Sequence, residues 1–288
     1  MLSSITGILK SIFKHPLTKK HRFLALFGFI KFQILMMLTK NRFLVKWVDE
    51  SQIIIRKGEH GLTGNLYFGL MDFQAMCFLL HYLRPSDDFY DIGSNVGAYT
   101  LLASKVVGAR SFSYEPLPDT FDRFIEQINI NCISELVFAK NIAIAEKKGV
   151  LEFTNNMNCM NHVNTDSSNK NITPVEATTL DIEHINPQSC LVKIDIEGYE
   201  LNAIAGGERF FKSSSVAAVI TGGANEQQKL IDLGFFPVYY DPMSRTITKP
   251  DTYNTGDDTI YIKDLKDAQE RCKTAKRFVV HTANSIII

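Results

Sequence analysis

From residue 89 onward, short apolar runs alternate with helical stretches, and this limits the fold more than any other feature of the chain. FYDI (89–92) precedes AYTLLASKVV, SFSYE (111–115) precedes TFDRFIEQINI (120–130), and LVFAKNIAIA (136–145) and VLEFTN (150–155) read as further strands. CLVKIDI (190–196) precedes ELNAIAGGERFF, a helix interrupted at Gly206-Gly207, and VAAVIT (216–221) precedes EQQKLIDL, a helix ended by Gly234. Strands alternating with helices predict a mainly parallel sheet covered on both faces. FFPVYY and TIYIKD come close together at the end and predict an antiparallel pair at one edge, joined through the turn Asp241-Pro242-Met243-Ser244. Residues 71–83 have helical spacing, 51–70 read as strands and turns, and the polar stretch 155–174 reads as a long loop.

Residues 1–50 read as a basic, amphipathic helical extension, leaving 51–288 as the main domain. The net charge of zero conceals a division. Residues 1–48 hold nine of the 31 Lys and Arg and none of the 31 Asp and Glu, so the remainder carries 22 basic against 31 acidic residues, net −9. A basic arm on an acidic body suits peripheral contact with an anionic membrane, or docking on its own body. An acidic body disfavours nucleic acid as a partner. The run FLALFGFIKFQILMML (23–38) is shorter than the roughly 20 residues of a membrane span and is interrupted by Lys31 and Gln33, so it is expected to lie flat on a membrane or to pack as a buried helix. The five cysteines are scattered and form no C-x-x-C pair, and no signal peptide is evident; both point to the cytoplasm, with any membrane contact at its inner face.

Ligands of such sheets bind beyond the carboxyl ends of the strands, at the point where strand order reverses. FYDIGSNVGAYT places Asp91, Gly93, Ser94, Asn95 and Gly97 there. The pattern D-x-G-x-N-x-G differs from the G-x-G-x-x-G of dinucleotide binders, and an acid at the strand end would repel a pyrophosphate. Glu115 follows Asp91 by 24 residues, where a carboxylate can accept from both hydroxyls of a ribose. Pro116 follows it, and Asn141 and Ile142 offer an amide and an apolar surface to an adenine. KIDIEGYE then supplies Lys193, Asp195, Glu197, Gly198 and Glu200, with Asp195 and Glu197 in the same strand parity. A nucleoside without a pyrophosphate fits this set, and S-adenosylmethionine is one.

The stretches FYDIGSNVGAYT, SFSYEPLPDTF, ININ, TTLDI and LVKIDIEGYELNAIAGG, in this order, resemble the FkbM-type methyltransferase family from about Tyr67 to Ile262. That resemblance implies a class I methyltransferase (Rossmann-like) α/β fold with a mainly parallel seven-stranded sheet, S-adenosylmethionine as cofactor, and O-methylation of sugars or secondary-metabolite alcohols. It implies that Asp91, Gly93, Asn95 and Gly97 form the cofactor turn, that Glu115 is the ribose acid, and that Asp195, Glu197 and Gly198 lie beside the transfer site. One departure stands out: relatives commonly carry an acid after the fifth strand, where this chain reads Thr221-Gly222-Gly223.

Methylating a hydroxyl requires alignment and removal of its proton. The candidate bases are Asp195, Glu197 and His162, with Asp195 favoured and Lys193 orienting the carboxylates. A divalent ion on Asp195 and Glu197 lacks a further ligand set, so no metal site is assigned. Two other readings remain open at this point: a metal-dependent nucleotide-sugar glycosyltransferase using Asp195-Ile196-Glu197, and a non-catalytic membrane-associated adapter.

Overall fold

Two short runs, DFYDI and CLVKI, are buried at every position and lie side by side in parallel. A strand buried on both faces reads as a continuous apolar run rather than an alternating one. The computed structural model describes residues 5–38, 42–56, 62–154, 163, 172–183, 188–222, 225–249, 258–282 and 285–288.

The first elements are helices α1 (Ile5–Lys14) and α2 (Arg22–Leu38), strands β1 (Arg42–Lys46) and β2 (Gln52–Arg56), and helices α3 (Thr63–Phe68) and α4 (Phe73–Tyr82). Then come β3 (Asp88–Ile92), α5 (Ala98–Leu101) continued by a wider turn over Leu102–Val107, β4 (Arg110–Tyr114), α6 (Pro118–Ile130), β5 (Val137–Lys140), β6 (Ala143–Ile144), β7 (Gly149–Thr154), β8 (Ile172–Thr178) and α7 (Leu180–Glu183). The last part holds β9 (Cys190–Ile194), α8 (Glu200–Ala205), α9 (Glu208–Lys212), β10 (Val216–Thr221), α10 (Gln227–Asp232), β11 (Phe236–Asp241), β12 (Thr246–Thr248), β13 (Thr259–Ile262), α11 (Leu265–Thr274), β14 (Val279–His281) and β15 (Ser285–Ile287).

The main sheet runs β12-β11-β13-β10-β9-β3-β4-β5. The pairs from β5 through β10 are parallel, whereas β13 is antiparallel to both β10 and β11. Seven of these strands follow the predicted arrangement, and β12 adds an eighth at the edge. The turn Asp241-Pro242-Met243-Ser244 therefore joins β11 to β12, not β11 to β13. Strand order reverses between β3 and β9, which sets the ligand crevice at their carboxyl ends.

Several local expectations change. The run 136–145 splits at Asn141 into β5 and β6, and β6 belongs to a separate sheet of order β6-β8-β7. Strand β8 begins at Ile172, inside the stretch read as loop. Residues 42–46 are strand rather than helix and pair with β2 in a hairpin that spans residue 50. The other edge of β2 is met by side chains: Gln127 of α6 donates to the Ile54 carbonyl (2.8 Å) and accepts from its N–H (3.0 Å), and Asn131 does the same for Gln52 at 2.7 and 2.8 Å. Helix α2 packs one face inward through Phe29 and Phe32 against Tyr67 of α3. Among the described residues, no helix is long and apolar enough to cross a membrane.

Candidate active site

The turn after β3 is shaped by close backbone approach. Gly93 has φ +82°, and a Cβ there would stand 2.1 Å from the backbone oxygen of Asp195. Gly97 has φ +88°, and its Cβ would meet the Phe124 ring at 2.4 Å. Asn95 adopts φ +49°, which Asn tolerates better than most residues. The turn thus lies directly against the end of β9.

Asp91 lies beneath this turn, not on its open side. It is buried, and its Oδ2 accepts from the Thr100 N–H (3.1 Å) and hydroxyl (2.6 Å), capping the first turn of α5. Burial pushes its carboxyl up to about 6. Ser94 presents a buried hydroxyl with no partner among the described residues, as expected of a group that a ligand would satisfy.

Glu115 lies at the end of β4 and is 6% exposed. Its two oxygens accept from the N–H groups of Asn95 (3.0 Å) and Leu117 (2.9 Å), which fixes the carboxylate and leaves lone pairs on each oxygen. Burial raises its carboxyl to about 7, against the pull of those two N–H groups. Asn141 is occupied nearby: its amide donates to the carbonyls of Glu115 (2.8 Å) and Pro116 (2.9 Å) and so holds the strand end in place. Ile142, Pro116, Ile196 and Tyr199 line a narrow apolar crevice beside Gly93, about 10 Å³ in volume, room for about one water, so an adenine between these walls requires them to part. A fixed carboxylate, an unsatisfied hydroxyl and an apolar slot in one turn fit a nucleoside with a diol.

On the other side of Gly93, Asp195 and Glu197 follow β9. The strand ends at Ile194, so strand parity does not place these two acids. A tight turn does so instead, with Glu197 at φ +49° and Gly198 at φ +90°. They share a cavity of about 290 Å³ with Glu200, Glu226, Asn225 and Leu201. Glu200 accepts from the N–H groups of Gly198 (3.0 Å) and Ile196 (3.3 Å) and holds the turn. Glu226 is buried at this cavity. It brings a carboxylate to the region where the sequence after β10 shows no immediate acid, and its distance of five residues from the strand hid it. His162 lies outside the described residues.

Lys193 is 1% exposed and is no free base. Its Nζ lies 3.0 Å from Asp258 Oδ1 and 3.4 Å from Asp195 Oδ2, over the Tyr99 ring at 5.3 Å. Burial works to lower its pKa, but Asp195, Asp258 and Asp72 outweigh this and raise it above the usual lysine value. Tyr99 donates its hydroxyl toward Asp72 and Asp258, each at 3.2 Å. This five-membered cluster ties the start of α4, α5, β9 and β13 together behind Asp195. Only Lys193 and Asp195 of it were singled out in the sequence; Asp258 stands just before a strand, and Asp72 just before a helix, where acids commonly cap.

Residues 91–231 match the methyltransferase FkbM domain. Over 131 residues the chain is 30% identical to the hexuronic acid methyltransferase AglP of Haloferax volcanii, an overlap of 44% of this chain and 53% of that protein. The chain thus spans about half the length of the curated relative it matches. Among solved structures it is similar to an rRNA methylase from Streptococcus thermophilus (TM-score 0.40, 11% identity, 66% of this chain and 94% of that one). It is also similar to P. horikoshii TYW2 in complex with MeSAdo (TM-score 0.42, 10% identity, 78% and 73%). Overlaps this loose do not fix a fold; the strand order does. The match opens at the acid beneath the glycine turn and closes on the helix behind β10: residues 91–231 carry a methyltransferase FkbM domain, and the cofactor is S-adenosylmethionine.

Proposed function

We propose that the protein methylates a hydroxyl oxygen of a neutral sugar or glycan. The observation that carries this reading is the adjacency of two unlike sites at the close contact of Gly93 with Asp195: the buried Glu115 carboxylate with an apolar crevice beside it, and a carboxylate-lined cavity at the end of β9. When bound, S-adenosylmethionine supplies an electrophilic methyl group on a sulfonium. Glu115 would hold the ribose hydroxyls, Ser94 and the turn the adjoining polar atoms, and Ile142 and Pro116 the adenine. Asp195 is 58% exposed toward the cavity, with Lys193 behind it. In this reading it accepts the acceptor's hydroxyl proton as the oxygen attacks, and Lys193 keeps the carboxylate oriented. Glu197 and Asn225 offer further hydrogen bonds to a polyol.

The cavity wall also bears on the acceptor's charge. AglP is named for a hexuronic acid, but an anionic sugar here would face Asp195, Glu197, Glu200 and Glu226 with no lining cation among the described residues. A neutral polyol meets acceptors only, which its hydroxyls satisfy.

The test is transfer of a radiolabelled methyl group from S-adenosylmethionine to neutral glycans and, in parallel, to uronic-acid glycans, followed by alkali. A methyl ether survives alkali and a methyl ester is hydrolysed, so alkali-stable label on the neutral glycan supports the reading, and label on the uronic-acid glycan alone contradicts it. Asp195→Asn is expected to lower turnover on the order of 10²- to 10⁴-fold with cofactor affinity unchanged. Unchanged turnover would remove Asp195 as the base.

A further inference from the structure

Helix α2 has its apolar residues on both sides. Ala25, Phe29 and Phe32 face inward and are buried. The opposite face carries Phe23, Leu24, Phe27, Ile30, Ile34 and Leu35, all exposed, with Phe23 and Phe27 at 71% and 67%. Positions 23, 27, 30 and 34 follow the i, i+4, i+7, i+11 spacing of a single stripe, and Lys31 is the one charged side chain among them. A soluble helix normally turns polar residues outward, so an outer stripe of this kind marks a contact surface.

The charge around the stripe identifies its partner. Lys10, Lys14, Lys19, Lys20 and Arg22 are exposed beside it, and residues 1–48 contain no acid at all. The guanidinium of Arg22 sits 5.8 Å from the Phe13 ring centroid and 5.3 Å from that of Phe23, so a cation and two aromatic rings share one end of the plate. Aromatic and branched side chains bounded by lysines and arginines suit the boundary of an anionic bilayer, where rings enter the headgroup layer and cations meet phosphates. The helix has 17 residues, or about 25 Å at 1.5 Å each, and lies along the body rather than projecting from it. The remaining 240 residues carry net −9, so an anionic surface repels the rest of the protein on balance and favours this part.

From these observations we infer that the outer face of α2, with its flanking cations, docks the protein flat on an anionic lipid bilayer. The inner face of the same helix links this surface to the candidate active site. Gln33 donates to the Tyr67 hydroxyl (2.9 Å), Tyr67 lies in α3, and the chain runs from α3 to Asp72, which shares Tyr99 with the Lys193 cluster. The inference itself rests on α2 alone and not on the methyl-transfer reading.

The test is co-sedimentation of the full chain with vesicles of pure phosphatidylcholine and of phosphatidylcholine with 30% phosphatidylglycerol, each at low and high salt. Binding to the anionic vesicles, reduced by salt and at least roughly tenfold weaker to the neutral ones, supports the inference. Phe23→Asp/Phe27→Asp should lose vesicle binding by a comparable factor, and Lys19→Gln/Lys20→Gln should lose the preference for anionic lipid. Thermal melting and S-adenosylmethionine binding of these variants should match the wild type, since all four side chains are exposed. Equal binding to both vesicle types, or wild-type binding by the phenylalanine variant, overturns the inference. So does a concentration-dependent dimer in light scattering that this variant abolishes, which would assign the stripe to a second copy of the chain.

Discussion

At the scale of single residues, the decisive group is Glu115. It was singled out in the sequence because it follows Asp91 by 24 residues, near where a ribose acid stands in such sheets, and because the glycine turn precedes it. Its surroundings were not legible: burial and two backbone N–H donors come from the fold, and together they leave the carboxyl titrating near 7 rather than in the ordinary glutamate range. In the proposed reading the ribose hydroxyls donate to the charged form, so binding takes place on the deprotonated group. Cofactor affinity is therefore expected to rise as pH increases through about 7 and to level off above it. Calorimetric titrations between pH 6 and 8.5 would show this, and Glu115→Gln should flatten the profile. A wild-type profile as flat as the variant's would contradict the assignment. The residues that escaped the sequence reading, Asp258, Asp72, Tyr99 and Glu226, are joined only by tertiary contact. Their spacing along the chain carries no period that could reveal them.

At the scale of elements, the glycine turn depends on contacts made far along the sequence. Gly97 is held at φ +88° with the Phe124 ring where a side chain would start. Gly97→Ala combines left-handed strain with a ring that must move, for an expected loss of about 2–4 kcal/mol of stability. Denaturant unfolding would measure it, and a change below about 0.5 kcal/mol would show that Phe124 gives way freely. The buried parallel strands were the most legible elements, because an apolar run between turn residues has few other readings. Helix α11 was not legible. Its sequence LKDAQERCKT is largely polar, and it is held by Asp264 capping the N–H groups of Lys266 (2.8 Å) and Asp267 (3.0 Å) and by the burial of Ala268 and Cys272. The short strands β12, β14 and β15 have three residues each, too few to show a period.

At the scale of the whole molecule, acid should loosen the fold through His81. This side chain is fully buried on α4 with Nδ1 2.5 Å from the Tyr240 hydroxyl, and burial lowers its pKa to about 3. The unfolded chain protonates the same group near 6.5, so U takes up protons that N refuses as pH falls from about 6.5 toward 3. The His81 contribution is complete above that window and is lost by about 1.4 kcal/mol per pH unit within it, while the raised carboxyls of Asp91 and Glu115 act in the opposite direction near pH 6–7. Thermal melts of both proteins at pH 7.5 and 5 isolate it: His81→Gln, though less stable at pH 7.5, should fare better on acidification than the wild type. An equal loss in both proteins would place the acid sensitivity elsewhere.

In the proposed reading the acid-glycine turn, Glu115 and the KIDIEGYE segment form the place where the molecule meets its cofactor, and the sheet's reversal between β3 and β9 brings those stretches together. Isothermal titration of S-adenosylmethionine and S-adenosylhomocysteine into the wild type and Glu115→Ala tests this most directly. Both ligands should bind the wild type, and the variant should bind each roughly 10- to 150-fold more weakly, as expected when hydrogen bonds to a charged group are lost. A folded wild type that binds neither ligand, or a variant that binds both as tightly as the wild type, would contradict it.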